Sequence, residues 1–407
     1  MTTPTTLPRF ARRMGLLATG SLVALAAAPA LAADTLDGAI AEGKPIIDLT
    51  ARYEQVDQDG FAEDAKAPLL RARLGYETGS WNGLSLLFDF DFIRAADDHY
   101  NSTVNGQDQY PTIADPEGDE LNRLQLSYTG LAGTRVDLGR QRVILDNARF
   151  IGNVGWRLNE QTYDAIFLSN SSIKGLAVKY GYIDKVHRVF GPDSPQGAFE
   201  SNSHIINVSY TGLANTTITA YAYLLDLTPA TLDTSTFGIR AVGKYDLGGV
   251  ALGYTGEYAH QVDRADNPND FSLDYYLLSA SAGAAGLTGS VSYEVLSGDG
   301  TVGFSTPLAT LHAFQGWADV FLTTPATGIT DLYGQLTYKF GKLSATAVYH
   351  DFGADFGPGS LGHEFDAVLN FKVSPKVSAL IKYADYSGPA GGPASRTKTW
   401  VALSYAY

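Results

Sequence analysis

From Ile46 onward the chain is written in short segments that alternate apolar and polar residues, the period of an extended strand with two unlike faces. In the first, Ile47, Leu49, Ala51 and Tyr53 take one face and Asp48, Thr50, Arg52 and Glu54 the other. A second sets Leu70, Ala72, Leu74 and Tyr76 against Arg71, Arg73 and Glu77; a third sets Leu86, Phe88, Phe90 and Phe92 against Asp89 and Asp91. One face is wholly apolar while its opposite carries full charges. A soluble sandwich also alternates, but its apolar faces meet in a core ~10 Å thick. Here the apolar faces repeatedly end in tyrosine, as at Tyr53, Tyr128, Tyr210, Tyr258, Tyr338 and Tyr383. A bilayer interface selects that placement, because the ring is apolar and its hydroxyl stays wet.

The connections sort into two kinds. Short ones, such as 130–133, 171–175, 212–215, 247–249, 283–286, 341–342 and 374–376, alternate with long polar ones at 94–120, 185–202, 261–272, 297–330, 353–361 and 388–395. Tight turns at one rim and long loops at the other are the arrangement of outer-membrane barrels. Segments of about ten residues, the length a tilted strand needs to cross the hydrocarbon layer, number roughly 18. The reading is an all-β fold, a transmembrane antiparallel up-and-down barrel with both ends in the periplasm. Segments near 160–170, 216–226 and 273–283 have two faces of similar polarity, so the count carries a margin of two. The final segment places Val401, Leu403, Tyr405 and Tyr407 on one face and stops on an aromatic, which resembles the signal read by the barrel assembly machinery.

The amino terminus changes the domain picture. Arg9, Arg12 and Arg13 precede an apolar run from Met14 to Ala28 and an Ala30-Leu31-Ala32 cleavage pattern, so residues 1–32 read as a signal peptide. Residues 33–45 then form a short N-terminal segment and 46–407 the barrel. Removing the leader leaves 26 basic against 43 acidic side chains, a net of −17. That balance excludes a general nucleic-acid binder. The absence of cysteine suits an exported bacterial protein, and bacterial outer membrane is the expected location, with lipid and lipopolysaccharide as surroundings.

Within this frame the stretch Gly139–Ala165 stands apart. Arg140, Arg142, Arg149 and Arg157 are mixed there with Asp146, Asn147, Asn153, Asn159 and Glu160, and with Phe150, Ile151 and Trp156. Guanidinium groups suit planar contacts with carboxylate or phosphate, so the stretch reads either as a polar constriction that meets an anion or as a loop whose arginines pair with their own acidic neighbours. If apolar residues face lipid, the opposite parity lines the lumen. The candidates for a substrate path are then Arg52, Arg71, Arg73, Arg123, Arg135, Arg240 and Lys244, joined by Arg140, Arg142 and Arg157. Lys179, Lys339, Lys372 and Lys382 share the inward parity, and so do Asp48, Glu54, Asp89, Asp91, Asp137, Glu257, Glu294 and Asp366. Arg140 and Arg142 share parity with Val136 and Leu138, so only a bulge or a strand end turns them inward. For a single arginine the plainer role is bracing the wall through an acid; for the group, a positive path that focuses field and favours anions.

Chemistry beyond passage is not indicated. Asp57-Gln58-Asp59-Gly60 begins like a cation loop but lacks the full ligand spacing and closing glutamate. No His-Glu-x-x-His, phosphate-binding Gly loop or Gly-x-Ser-x-Gly elbow occurs. The reading assigns no catalytic residue, no metal and no cofactor.

Two blocks carry a resemblance. Leu138-Gly139-Arg140-Gln141-Arg142 with Gly155-Trp156-Arg157-Leu158-Asn159-Glu160-Gln161-Thr162-Tyr163-Asp164, and His312-Ala313-Phe314-Gln315-Gly316-Trp317-Ala318-Asp319 with Phe321-Leu322-Thr323-Thr324-Pro325, resemble the alginate export family of outer-membrane barrels. The resemblance implies an 18-stranded barrel with a basic, anion-selective lumen through which an anionic polysaccharide, a polyuronate, leaves the cell. Arg140, Arg142 and Arg157 match the family's basic motif positions, and Arg52 sits in a similar Arg-Tyr-Glu context. Leu158 stands where a polar residue is usual, and Val320 where a lysine is. Two functions are carried forward: a diffusion channel for alginate-like polyuronate or related organic anions, and a porin for uptake of small anions or sugars. A barrel enzyme or an adhesin barrel belongs to a different class.

Overall fold

The computed structural model describes residues 35–407; the signal-peptide reading lies outside them. A short helix, α1 (Leu36–Ala41), is capped by Thr35, whose hydroxyl accepts from the Gly38 N–H at 3.0 Å. Eighteen strands follow: β1 (Lys44–Gln58), β2 (Ala65–Glu77), β3 (Leu84–Ala95), β4 (Gly118–Leu131), β5 (Thr134–Gln141) and β6 (Thr162–Asn170); β7 (Leu176–His187), β8 (Ala198–Leu213), β9 (Thr216–Leu225), β10 (Thr234–Leu247), β11 (Val250–Asp263) and β12 (Ser272–Ala284); β13 (Leu287–Leu296), β14 (Ile329–Phe340), β15 (Leu343–Gly353), β16 (Ser360–Lys372), β17 (Val377–Ser387) and β18 (Arg396–Ala406). Each strand pairs antiparallel with its neighbours in sequence. The pairing of β1 with β18, from Asp48↔Ala406 to Gln58↔Arg396, closes the cylinder and leaves no free edge. The three segments of ambiguous polarity are β6, β9 and β12.

The alternation decides which way each wall faces. On β3, Phe90 and Phe92 are exposed on the outer surface while Asp89 and Asp91 are fully buried inside. Leu49, Leu70, Leu124, Leu138, Ile166, Leu278, Leu336 and Leu403 continue the outer band, with Tyr180, Tyr210, Tyr258, Tyr293 and Tyr349. So large an exposed apolar band has one stable setting, the hydrocarbon of a membrane. Strands rather than helices make the crossing: no described helix is long and apolar enough to span.

With β1 running away from the periplasmic end, every tight turn lies at the periplasmic rim and every long loop at the other. Two long loops do not stay at the rim. The β5–β6 loop (142–161) and the β13–β14 loop (297–328) bury Phe150, Ile151, Phe304, Leu308, Ala318 and Phe321 together with the inward side chains of the wall. A second apolar cluster, built on Leu69, Ile93, Tyr100, Ile113 and Leu158, seats the β3–β4 loop. Leu158 is thus apolar because its neighbours there are.

Candidate functional site

The β5–β6 loop is held in the barrel by its partner loop. Gly152 N–H donates to the Leu308 carbonyl at 2.8 Å, Thr310 N–H to the Ala148 carbonyl at 3.0 Å, and Val154 N–H to Thr310 Oγ1 at 3.1 Å. Tyr163, at the foot of β6, donates to the Gly152 carbonyl at 2.6 Å. Asp146, Ala148 and Val154 adopt left-handed backbone, as do Gln315 and Asp319 on the facing loop. Such conformations are unfavourable for side-chain-bearing residues and persist where surrounding contacts over-determine them.

Charged hubs complete the lock. Glu160 accepts from Arg73 at 2.6 Å, from Arg142 at 2.6 Å, from Asn153 at 2.6 Å and from Asn122 at 2.9 Å. Burial opposes its ionisation, and Arg73 and Arg142 overcome that, holding the carboxyl at about 2. Arg157 joins three segments: Glu54 of β1 at 3.0 Å, Asp115 of the β3–β4 loop at 3.3 Å and Asp319 of the β13–β14 loop at 3.2 Å. Asp319 also takes Lys398 at 2.7 Å and His312 Nδ1 at 2.7 Å. Burial, assisted by Lys382, pushes His312 down to about 3 against the pull of Asp319, so its ring is neutral. Nδ1–H then donates to Asp319 and Nε2 accepts from Lys382 at 2.6 Å. Trp156 stacks on His312 at 4.5 Å, and Lys382 lies 4.1 Å from the Trp156 ring and 3.9 Å from Trp317.

The turn at Gln315–Ala318 is seated by two buried acids of β16. Glu364 accepts from the Ala318 N–H at 2.7 Å and Asp366 from the Trp317 N–H at 3.2 Å. Gly316, at φ +83°, has no room for a side chain, since a Cβ would sit 2.3 Å from Glu364 Oε2.

The candidate path residues fall into three groups. Arg52, Arg71, Arg73, Arg123, Arg135, Arg240 and Lys244 lie on the inward parity of their strands, and Arg142 and Arg157 enter with the loop. Most are braced by acids: Arg71 by Asp48 at 2.7 Å, Arg73 by Asp91 at 2.6 Å, Arg123 by Asp89 at 2.9 Å, Arg135 by Asp137 at 2.8 Å, and Arg240 by Glu257. Arg140 does not line the lumen. It pairs in register with outward Leu124 and with Asp164, which it holds at 2.9 Å beside His187. No bulge intervenes on β5, so Arg140 keeps the outward parity of Leu138, whereas Arg142 lies beyond the strand end and turns in. Sequence reasoning passed over Lys398, Trp400 and Glu364, although the parity opposite Val401 and Phe365 marks them as inward. His312, Trp317 and Asp319 belong to the long 297–330 connection expected at the rim, and the structure brings them into the barrel instead.

Lower in the lumen the texture changes. Lys179, Lys244, Lys339 and Lys372 sit on inward parity within a few residues of the periplasmic turns. None makes an ion pair within 4.0 Å among the described residues; of the ion pairs named above, Arg135–Asp137 at the start of β5 shares this level, and the others lie toward the loops or the middle of the wall.

No family model matches the chain, and no curated protein matches it. Solved structures do. OccAB4 from Acinetobacter baumannii superposes with a TM-score of 0.70 at 16% identity, covering 90% of this chain and 98% of that one. OpdL from Pseudomonas aeruginosa gives 0.70 at 16%, covering 90% and 99%, and the outer membrane protein opdK from the same organism gives 0.69 at 15%, covering 89% and 98%. The chain has the fold of an outer-membrane porin. With its apolar outer band, this porin-like barrel belongs in the bacterial outer membrane. The likeness supports the porin-like barrel expected from the sequence and gives no support to the alginate export family.

Proposed function

We propose that this porin-like barrel is a passive channel for small organic anions, without bond chemistry. The observation that carries the reading is the contrast in charge pairing along the lumen. Arginines at the level of the two inward loops are neutralised by carboxylates, while Lys179, Lys244, Lys339 and Lys372 present uncompensated charge at the periplasmic mouth. Uncompensated charge along a low-dielectric wall is what biases permeant ions. Passage of a polyuronate fits less well, because loops 142–161 and 297–328 occupy the interior and are tied to each other and to the wall. Passage of small anions, in whichever direction their gradient sets, is what this supports.

Planar-bilayer recording in a salt gradient tests it. The expected reversal potential is on the anion side. Changing all four lysines to glutamate is expected to move it to the cation side. A cation-selective unaltered channel, or none at all, would overturn the reading.

A further inference from the structure

The outer wall is not uniform. Across β12 to β15 its band of large apolar side chains gives way to Ala280, Ala282, Gly289, Gly334 and Ala347, all on the outward parity. The register makes them neighbours. Ala282 faces Gly289, whose other partner, Leu336, faces Ala347; Gly334 lies between Val291 and Tyr349. Together they floor an open groove of about 730 Å³, with Leu252 on one flank and Tyr349 and Phe365 on the other.

The two glycines carry the argument. Glycine inside a strand forfeits side-chain packing and conformational entropy, and it marks places where another group comes close. For Gly75, Gly181 and Gly238 that group is in the chain: a Cβ would lie 2.2 Å from the Phe88 carbonyl oxygen, 2.3 Å from the Phe167 ring and 2.2 Å from the Tyr221 ring. At Gly289 and Gly334 a Cβ would meet nothing closer than 3.8 Å, and neither residue has the left-handed backbone that favours glycine. The chain does not supply the group that sits over them.

Depth and charge say what does. Gly334 lies six residues from Phe340, the end of β14 at the periplasmic rim. At ~3.3 Å per residue and ~40° of tilt that is a height of ~15 Å, about half of a ~30 Å hydrocarbon layer. The groove therefore spans one leaflet, the periplasmic one, which in an outer membrane is phospholipid. At its foot the β14–β15 turn carries exposed Lys342, whose Nζ donates to the Val373 carbonyl at 3.0 Å and makes no ion pair among the described residues. The cation stands at the level of headgroup phosphates.

We propose that the groove holds one acyl chain of a periplasmic-leaflet phospholipid, whose phosphate meets Lys342. The hydrophobic effect does not select this site, since hydrocarbon covers the wall everywhere. What the groove adds is dispersion contact on three sides of the chain and a cation at its end. A second barrel fits less well, because its convex wall would bridge a recess of one leaflet's depth rather than fill it. The proposal is independent of what the lumen carries.

Native mass spectrometry of the full protein in detergent, titrated with dipalmitoyl phosphatidylglycerol, tests this. One lipid is expected to bind ahead of all others. Gly334→Ile and Ala347→Ile fill the groove and are expected to weaken that first lipid at least ~10-fold. Their unfolding temperature should hold or rise, because a β-branched side chain suits a strand better than glycine or alanine. Lys342→Gln removes one exposed charge and is expected to weaken it ~2- to 5-fold. Leu138→Ile, on β5 across the barrel, should change nothing. First-lipid binding unchanged in both filling variants, or lost equally in Leu138→Ile, overturns the proposal. A lipid-free dimer that the filling variants abolish overturns it in favour of a second copy, and lipid A bound in preference to phosphatidylglycerol overturns it in favour of the other leaflet.

Discussion

The loop-side and periplasmic halves of the lumen use the same kinds of side chain to different ends. On the loop side, Arg73, Arg142 and Arg157 meet carboxylates from several segments, so their charge is spent on geometry: they fix where two inward loops sit. On the periplasmic side, Lys179, Lys244, Lys339 and Lys372 stand on inward parity with no acid within 4.0 Å among the described residues, and their charge remains available as field. A tally of basic residues along the wall would have credited the first group with the selectivity. Pairing, not number, decides how much potential a permeating ion meets.

The largest effect should come from breaking the loop side. Arg157→Met would leave Glu54, Asp115 and Asp319 facing one another in a buried site with one cation fewer. Removing one partner from a buried pair costs ~3–5 kcal/mol. The β5–β6 and β13–β14 loops are expected to come away from the wall, seen as a larger and noisier single-channel conductance and a lower unfolding temperature. Unchanged conductance and stability would mean that these loops are held by packing alone. The same change should leave the direction of ion preference untouched, because the lysines below are intact.

Acidification should act on the same lock with a smaller effect. Glu160 titrates at about 2 when docked, below its ordinary value of 4.5, so its contribution is complete above about pH 4.5 and is lost as pH falls toward 2. His312 titrates at about 3 when docked, below its ordinary 6.5: a released ring gains a proton that the docked ring refuses, so docking weakens as pH falls below 6.5. Both terms have the same sign, and the histidine alone contributes ~2 kcal/mol by pH 5. Conductance noise should rise between pH 7 and pH 4, and His312→Gln should remove the part above pH 4.5. A flat pH profile in the unaltered channel would sink this account.

The barrel is legible in the sequence because lipid imposes its period on every strand: Phe90 and Phe92 outside and Asp89 and Asp91 inside follow from alternation alone. Parity also decides Arg140 and Lys398, on opposite sides of the wall, once no bulge is allowed between Leu138 and Arg140. The candidate site is less legible. His312, Trp317 and Asp319 lie in a stretch rich in Ser, Thr, Gly and Pro with no period, which reads as a solvated loop. What draws it inward is tertiary: Arg157 meets Asp319 across 162 positions, and Glu364 and Asp366 meet backbone N–H groups that any sequence possesses. Local pattern carries no record of such contacts. Nor does it say which arginines are paired, and so it cannot place the field.

The periplasmic half can be tested at finer grain. Single changes of Lys179, Lys244, Lys339 or Lys372 to Gln each remove one exposed charge, and interactions of exposed charges are worth under ~1 kcal/mol. Each is expected to shift the reversal potential slightly toward cations in dilute salt, with no change in unfolding temperature. At about 1 M salt the Debye length is ~3 Å, shorter than the reach of a lysine side chain into the lumen, so the four variants should become indistinguishable from the unaltered channel. Shifts that persist at high salt would locate these lysines in direct contact with the permeating ion rather than around it. Should one lysine carry most of the shift, the positive field would belong to a point in the wall, and the even division of labour between the two halves would have to be redrawn around that residue.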